Sequence, residues 1–239
     1  PAGSATLLVP CLFAAGLSTL GLFGTIFAIR ESLTPEMRGA HHAARGASEP
    51  LTPKVRRGLL GVSAAMLAIS SGMAALQSLY PIWGRDAFQL SLGTIGAHFG
   101  VLSACTALSQ ILLIGPVVRR VGEQGVMLIA LLGSAAGLVL YAFAPGEAVV
   151  WVADLLCGLC LGLFGPAATS VVSRLAPAAR RGAILGLFNA TGAAGRVLGP
   201  AYAGAAYAFT RPAPFLVAAI LVAATSVLVL GRRRPRGER

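Results

Sequence analysis

Residues 58–84 read GLLGVSAAMLAISSGMAALQSLYPIWG, a run of 27 residues that contains no Asp, Glu, Lys or Arg. An α-helix needs about 20 apolar residues to cross the hydrocarbon core of a bilayer, so this run is long enough to span one. It does not alternate polar and apolar residues as the strands of a membrane barrel do. Because every backbone amide in lipid needs an internal partner, the run is predicted to be a transmembrane α-helix.

The chain contains seven runs of this kind. Five hold no charged residue, the fifth along the chain holds only Asp154, and the sixth holds only Arg196. The runs cover residues 5–29, 58–84, 87–116, 124–146, 148–173, 182–210 and 212–231. We therefore expect an all-α membrane protein, a polytopic bundle of seven transmembrane helices.

The overall composition agrees with this class of protein. Of the 239 residues, 56% are hydrophobic and 11% are charged, whereas soluble domains carry about 25% charged residues. The net charge of +11 would suit a nucleic-acid-binding protein, but the basic residues lie between long uncharged runs. The expected partner is accordingly the lipid bilayer and not a nucleic acid. Nothing in the sequence indicates a cofactor.

The basic residues fall almost entirely in alternate connections between the runs. Sixteen of the 19 lie in one set of connections, two lie in the other set, and Arg196 lies within a run. Positive connections stay on the cytoplasmic side of a membrane, so the start of the chain is predicted outside and its end inside. The larger set comprises Arg30, Arg38, Arg45, Lys54, Arg56, Arg57, Arg119, Arg120, Arg174, Arg180, Arg181, Arg232, Arg233, Arg234, Arg236 and Arg239, and the smaller set comprises Arg85 and Arg211.

Two segments outside the runs have their own expected roles. Residues 30–57 contain three prolines and no apolar periodicity, which predicts a flexible cytoplasmic linker. The adjacent His41 and His42 lack Cys or acidic neighbours at ligand spacing, so we expect no metal site there. Residues 232–239 form a basic tail that is predicted to contact lipid headgroups. Cys157 and Cys160 have a redox or zinc spacing but lie in a run, where small apolar side chains are the expected role.

Arg196 is the most unusual residue of the sequence. It lies about 14 residues from Gly182, or ~21 Å from the cytoplasmic end of its run at 1.5 Å per residue. A charge near the bilayer centre is expensive and therefore indicates a functional site. Asn189 shares a helical face with it. Three roles stay open: a structural bond to carbonyl groups or to Asp154, a cavity that holds an anionic group or a coupling ion, and snorkelling at the lipid surface.

Other polar residues within the runs are further candidates. Gln77 recurs with Ser63 and Ser70 at heptad spacing, which suits either a cavity or helix packing. Asp154 is expected to face protein or water and to pair with Arg196. His98 is expected either to relay protons or to act as a hydrogen-bonded packing residue. No nucleophile–base constellation is apparent, so we do not expect an enzyme.

Glycines four residues apart recur in four of the runs. Small residues at this spacing let helix backbones approach closely in a membrane, which predicts a compact bundle. The pairs are Gly96/Gly100, Gly133/Gly137, Gly158/Gly162 and Gly195/Gly199.

The loop Gly115-Pro-Val-Val-Arg-Arg-Val-Gly-Glu-Gln124 resembles the inter-helix signature of the major facilitator superfamily. That signature is Gly, three residues, Asp, Arg, any residue, Gly, then Arg or Lys; Gly115, Arg120 and Gly122 match it. Arg119 stands where the family often has Asp, and Glu123 stands where it often has a base. The resemblance implies that Gly115, Arg119, Arg120 and Gly122 form a gating loop on the cytoplasmic side.

A second resemblance covers the last third of the chain. The elements Arg174-Leu-Ala-Pro177, Arg181-Gly182 and Ala194-Gly-Arg-Val-Leu-Gly-Pro200 look like the tenth and eleventh helices of the same superfamily, in its tetracycline-exporter-like branch. On this alignment the seven runs are family helices six to twelve. Residues 1–29 would be the last helix of the amino-terminal bundle, 30–57 the central linker, 58–231 the six-helix carboxy-terminal bundle and 232–239 the tail.

The resemblance implies secondary active transport of a small molecule or ion by alternating access, with proton-coupled antiport and efflux as one form of it. The expected substrate pathway comprises Arg196, Asn189, Gln77 and Asp154. A missing amino-terminal six-helix half is the expected partner, because the chain begins at Pro1 and resembles only half of a family member. The alternative is a truncated, non-transporting membrane subunit or assembly partner.

Overall fold

The computed structural model describes residues 2–28 and 51–230, and these residues are almost entirely helical. They include a π-helical turn, Ser109–Leu113, and a short 3₁₀ turn, Ala178–Arg180. The α-helices are α1 Ala2–Ala28, α2 Pro53–Phe88, α3 Leu92–Leu108, α4 Ile114–Ala142, α5 Glu147–Leu175, α6 Arg181–Phe209 and α7 Ala213–Leu230. The all-α prediction is confirmed, and the described ranges contain no strand.

The chain divides into two compact units, residues 1–48 and 49–239. The first unit contains α1, whose apolar side chains, among them Leu12, Phe13 and Leu20, are exposed. The second unit contains the other six α-helices and the buried core. The predicted tail 232–239 and most of the predicted linker, with His41 and His42, lie outside the described residues.

Four helical stretches are long and apolar enough to cross a membrane. They are Pro53–Phe88, Leu92–Ala142, Glu147–Leu175 and Ala213–Leu230. The second stretch combines two predicted spans, since the helical segments meet across Gly122, whose φ of 73° and ψ of 168° are not helical. A multi-pass membrane protein is confirmed, and the number of seven crossings stays a prediction.

α2 begins five residues before the predicted span. Proline suits the first turn of a helix because its missing N–H is not needed there, and Pro53 occupies that position. Lys54, Arg56 and Arg57 therefore lie in the first turns of α2 and not in an irregular connection.

Glycine contacts show that α2 and α6 run in the same direction. A Cβ at Gly195 would lie 2.6 Å from the carbonyl oxygen of Leu67, and one at Gly199 would lie 2.9 Å from the backbone nitrogen of Ala75. Later residues of α6 thus meet later residues of α2. Because the two backbones touch, only glycine fits at these positions of α6.

α3 and α5 form a second parallel pair of the same design. A Cβ at Gly158 would lie 2.6 Å from the carbonyl oxygen of Leu102, and one at Gly162 would lie 2.8 Å from Cβ of Ser109. The Ser109 hydroxyl also donates to the carbonyl oxygen of Leu159 at 2.7 Å. The pair is therefore joined by both close packing and hydrogen bonds.

α4 and α5 pack in opposite directions. Gly133 of α4 meets the sulfur of Cys160, and Gly137 meets the sulfur of Cys157. Both cysteines are buried free thiols, which agrees with their expected role as small apolar side chains. The prediction of close packing is thus confirmed for three of the four glycine pairs. It is wrong for Gly96 and Gly100, where a Cβ would meet no neighbouring element of the described chain within 4 Å.

The second unit has chemically different ends. Lys54, Arg57, Arg120 and Arg174 line one cleft at the end that we call the basic end. At the other end, Tyr80, Trp83, Tyr141 and Phe215 pack together, and the rings of Tyr141 and Phe215 stack with centroids 5.9 Å apart. We call this the aromatic end. All four basic residues of the cleft belong to the larger set of basic residues, whereas Arg85 and Arg211 of the smaller set lie near the aromatic end, which agrees with the sorting of the connections by charge.

Candidate functional site

The predicted pathway residues of α6 lie beside its contact with α2. Gly192, Gly195 and Gly199 face α2. At 100° per residue, Asn189 and Arg196 fall along one flank of that glycine face. Both side chains are exposed. Among the described residues, Arg196 makes no ion pair.

Gln77 lies on the matching flank of α2. It is exposed, and Ser63 and Ser70 of the same flank are half-buried. Because α2 and α6 are parallel, the helical periodicity places Gln77, Asn189 and Arg196 on the same side of the α2–α6 pair. We call these three residues the open flank.

Asp154 does not belong to the open flank. It belongs to α5, is only 1% exposed, and faces α3 and α4. Its carboxylate accepts a hydrogen bond from the hydroxyl of Tyr141. The other carboxylate oxygen lies 2.5 Å from Nδ1 of His98. We call His98, Tyr141 and Asp154 the buried polar cluster.

The register of α3 against α5 explains how this cluster forms. Leu102 meets Gly158 in that contact, and His98 and Asp154 each precede them by one helical turn. Residues four apart share a helix face, so His98 and Asp154 must face one another. Tyr141 approaches from α4, which Gly133 and Gly137 hold against α5.

The predicted pairing of Asp154 with Arg196 is wrong. The carboxylate is already bonded to His98 and Tyr141, whereas Arg196 is exposed on α6. The depth of a residue along its own helix does not specify which neighbouring helix the residue faces. For Asp154, the register of α3 against α5 places His98 opposite the carboxylate.

A line of polar groups leads from the buried polar cluster toward the surface. The ring of His98 stacks on Trp151 with centroids 3.7 Å apart, and its Nε2 atom has no hydrogen-bond partner in the described chain. That Nε2 lies 3.6 Å from Oε1 of Glu147, whose side chain is 44% exposed. The same Oε1 accepts a hydrogen bond from Nε1 of Trp151 at 3.3 Å. His98 therefore stands between a buried acid and a partly exposed one.

The predicted gating loop contains one position that requires glycine. Gly122 has a φ of 73°, in the left-handed region that other residues rarely adopt. Gly115, Arg119 and Arg120 are exposed. Glu123 is the residue of the loop that makes contacts: it accepts a hydrogen bond from Ser170 at 2.5 Å and pairs with Arg174 at 2.9 Å.

This pairing was not predicted, although the sequence contains its signal. In the family signature, Glu123 is an acid at a position where the family often has a base. Glu123 is an acid beside Arg119 and Arg120, and Arg174 begins the next connection of the same basic set, so the sequence indicates that Glu123 has a cationic partner at this end. The described residues contain no group of three His, Cys, Asp or Glu side chains that could hold a metal ion.

Comparison with known proteins places the chain in a family of multi-pass membrane proteins, in agreement with the helical architecture. The sequence profile of the Major Facilitator Superfamily matches residues 59–239. The tetracycline resistance protein, class B, of Escherichia coli is 32% identical over 139 residues, which are 57% of this chain and 34% of that protein. The class G protein of Vibrio anguillarum is 28% identical over 187 residues, 74% of this chain and 47% of that protein.

A third relative covers more of the sequence. Multidrug resistance protein 2 of Bacillus subtilis is 21% identical over 217 residues, 90% of this chain and 54% of that protein. The chain thus spans about half, or less, of the length of the relatives that it matches. Since the family profile covers most of the chain, the chain belongs to the Major Facilitator Superfamily and resembles its tetracycline-exporter-like branch.

Proposed function

We propose that the chain supplies the carboxy-terminal half of a secondary active transporter, and that its open flank lines the path of a small solute. One observation carries the proposal: Arg196, in the middle of the predicted membrane span that α6 forms, is exposed and unpaired in the described part of the chain. A charged side chain at the bilayer centre costs about 2.5–3.5 kcal/mol on insertion scales, so it faces protein or water and not lipid. A water-filled solute path provides that environment.

The chemistry of the open flank indicates the kind of solute. The guanidinium group of Arg196 offers five N–H donors in a planar fork, which suits a carboxylate, a phosphate or a pair of carbonyl oxygens. Gln77 and Asn189 add neutral amides that both donate and accept hydrogen bonds. The proposed solute therefore carries an anionic or strongly accepting group and further polar atoms.

The first experiment replaces Arg196 in the protein expressed from its complete reading frame. Arg196→Ala is expected to lower the transport rate at least tenfold at equal membrane insertion, and Arg196→Lys is expected to retain part of it. Arg181→Ala is the matched control, since Arg181 is an exposed arginine at the start of the same helix. Unchanged transport by Arg196→Ala would refute the role of the open flank.

We further propose that proton movement through the buried polar cluster drives this transport. His98 can take a proton at Nε2 from Glu147 and release the proton on Nδ1 to the carboxylate of Asp154, 2.5 Å away. The 3.6 Å gap to Glu147 exceeds a hydrogen bond, and one water molecule or a movement of the partly exposed Glu147 side chain closes it. The stacked ring of Trp151 holds the imidazole in this orientation.

The second experiment separates proton coupling from solute binding. Asp154→Asn and His98→Gln are expected to abolish accumulation driven by a pH gradient, because neither side chain can then exchange a proton at this position. Exchange of labelled for unlabelled solute, which needs no net proton movement, should continue. Asp86→Asn is the control, an exposed acid near the end of α2. If both variants still accumulate solute in proportion to the pH gradient, the coupling role is refuted.

The wild-type protein decides between transport and the alternative role. Movement of a solute across vesicles that contain the purified protein is expected, without chemical change of the solute. A correctly inserted protein that moves none of a panel of anionic and polar solutes would instead indicate a non-transporting membrane subunit.

A further inference from the structure

A large cleft opens at the basic end of the second unit. It has a volume of about 2150 Å³, above the roughly 300–1,000 Å³ of typical small-molecule pockets. Its lining comes from the first turns of α2, the loop before the main part of α4, the end of α5 and the end of α7. The cleft is distinct from both the open flank and the buried polar cluster, none of whose residues line it.

The rim of the cleft is strongly cationic. Four basic side chains line it, namely Lys54, Arg57, Arg120 and Arg174, and Glu123 is the one acidic residue in the lining. Glu123 is already paired with Arg174 at 2.9 Å, so its charge is satisfied within the protein. The rim therefore carries a net formal charge of +3 and attracts an anion.

The walls of the cleft are apolar, and several wall residues face outward. Leu60, Val121, Val227 and Leu228 line the cleft and are 46–65% exposed, whereas the lining residues Val62 and Met127 are buried. The cleft thus joins cationic side chains to partly exposed apolar walls.

The segments of the chain outside the described residues do not complement this rim. Residues 29–50 contain Arg30, Arg38 and Arg45 together with Glu31, Glu36 and Glu49, which balance one another. Residues 231–239 contain five arginines and Glu238, so the tail has the same sign as the rim. Charge complementarity therefore favours an occupant that is not part of the chain.

We propose that this cleft binds an anionic phospholipid. Its phosphate would lie among Lys54, Arg57 and Arg120, and an acyl chain would follow the apolar walls toward Leu60 and Leu228. Basic pockets between membrane helices on the cytoplasmic side bind acidic headgroups by this chemistry. A soluble phosphate would satisfy the rim but leave the apolar walls unused, so the cleft fits an amphipathic anion better.

Lipid titration of the detergent-purified protein tests the proposal. Short-chain phosphatidylglycerol, short-chain phosphatidylcholine and inorganic phosphate are the three probes, and native mass spectrometry counts the bound molecules. Phosphatidylglycerol is expected to bind saturably and at least tenfold more tightly than either other probe. Equal binding of inorganic phosphate would overturn the proposal in favour of a soluble anion, and equal binding of phosphatidylcholine would remove the role of the cationic rim.

Matched variants place the binding in the cleft. One basic residue near an anionic surface contributes a factor of about five in affinity. Arg57→Gln should therefore weaken phosphatidylglycerol binding about fivefold, and the double variant Lys54→Gln, Arg57→Gln should weaken it about 25-fold. Arg181→Gln removes an exposed cation of α6 that does not line the cleft and should change binding little. An equal loss in Arg181→Gln would show a diffuse surface attraction and overturn the proposal.

Two further variants keep the test decisive if a charge deletion disturbs folding. Arg57→Lys retains the cation and should retain binding within about twofold. Ala64 lines the cleft, so Ala64→Phe places a bulky ring in the space beside the apolar wall. It should weaken the binding of phosphatidylglycerol without removing a charge. Undiminished lipid binding by Ala64→Phe would refute the acyl-chain part of the proposal.

Discussion

The buried polar cluster and the open flank both consist of polar side chains within predicted membrane spans, but the first is buried and the second is exposed. Asp154 is 1% exposed, and both of its carboxylate oxygens are occupied by groups of α3 and α4. Arg196 is exposed and makes no ion pair among the residues that the structure describes. A buried polar group must be satisfied by its own bundle, whereas an exposed one is available to bind something else. The first region should therefore be the more sensitive in stability, and the second should act in solute binding with little effect on stability.

The largest expected effect follows from deletion of the buried carboxylate. Asp154→Ala removes the acceptor of His98 and Tyr141, so the free energy of unfolding should fall by about 2–6 kcal/mol, at a cost of about 1–3 kcal/mol for each of the two buried groups left unpaired. Unfolding of the detergent-solubilised protein by added denaturant measures this change. Asp86→Ala removes an exposed acid that Tyr207 bonds, and should cost less than about 1 kcal/mol. Equal losses in both variants would erase the contrast between the two regions.

A smaller effect is expected where glycine supports the open flank. Gly195→Leu places a side chain against the backbone of α2 and should reduce stability by about 1–3 kcal/mol. It should also displace Arg196, which is the next residue. Gly204→Leu is the matched control on the same helix, because a Cβ at that position would meet no neighbouring element of the described chain within 4 Å. A tolerated leucine at Gly195 would contradict the close contact between α2 and α6.

The smallest effect is expected at Arg196 itself. Arg196→Ala should change the free energy of unfolding by less than about 0.5 kcal/mol, as is usual for exposed positions without partners. Thermal unfolding monitored by size-exclusion chromatography measures this, beside the transport assay on the same preparation. A loss of stability above about 1 kcal/mol would show that Arg196, like Asp154, stabilises the helix bundle.

Much of the fold follows from composition and spacing. Uncharged runs of sufficient length predicted the membrane helices, and the sorting of basic residues agreed with the cleft that Lys54, Arg57, Arg120 and Arg174 share. Glycines four apart predicted close backbone contacts, which Gly158 and Gly195 make. Spacing alone reports which residues share a face, but not what covers that face, and the uncovered Gly96 is an example.

The candidate sites were less predictable for the same reason. The polarity and depth of Asp154 indicated a partner, but its partner depends on which helix touches α5 and in which register. The sequence favours neither of the two roles of His98, because its contact with Asp154 joins residues 56 positions apart. Glu123 departs from the family signature, and its ion pair with Arg174 joins two connections whose proximity the sequence does not specify.

The parallel pairing of α2 with α6 also sets a condition on biosynthesis. The contacting residues Leu67 and Gly195 are roughly 130 positions apart, or about 6–25 s of translation at 5–20 residues per second. During that interval α2 enters the membrane without the neighbour that its small-residue face requires. A nascent chain that stalls before residue 181 leaves this face uncovered, so quality-control factors in the membrane should recognise such products through α2.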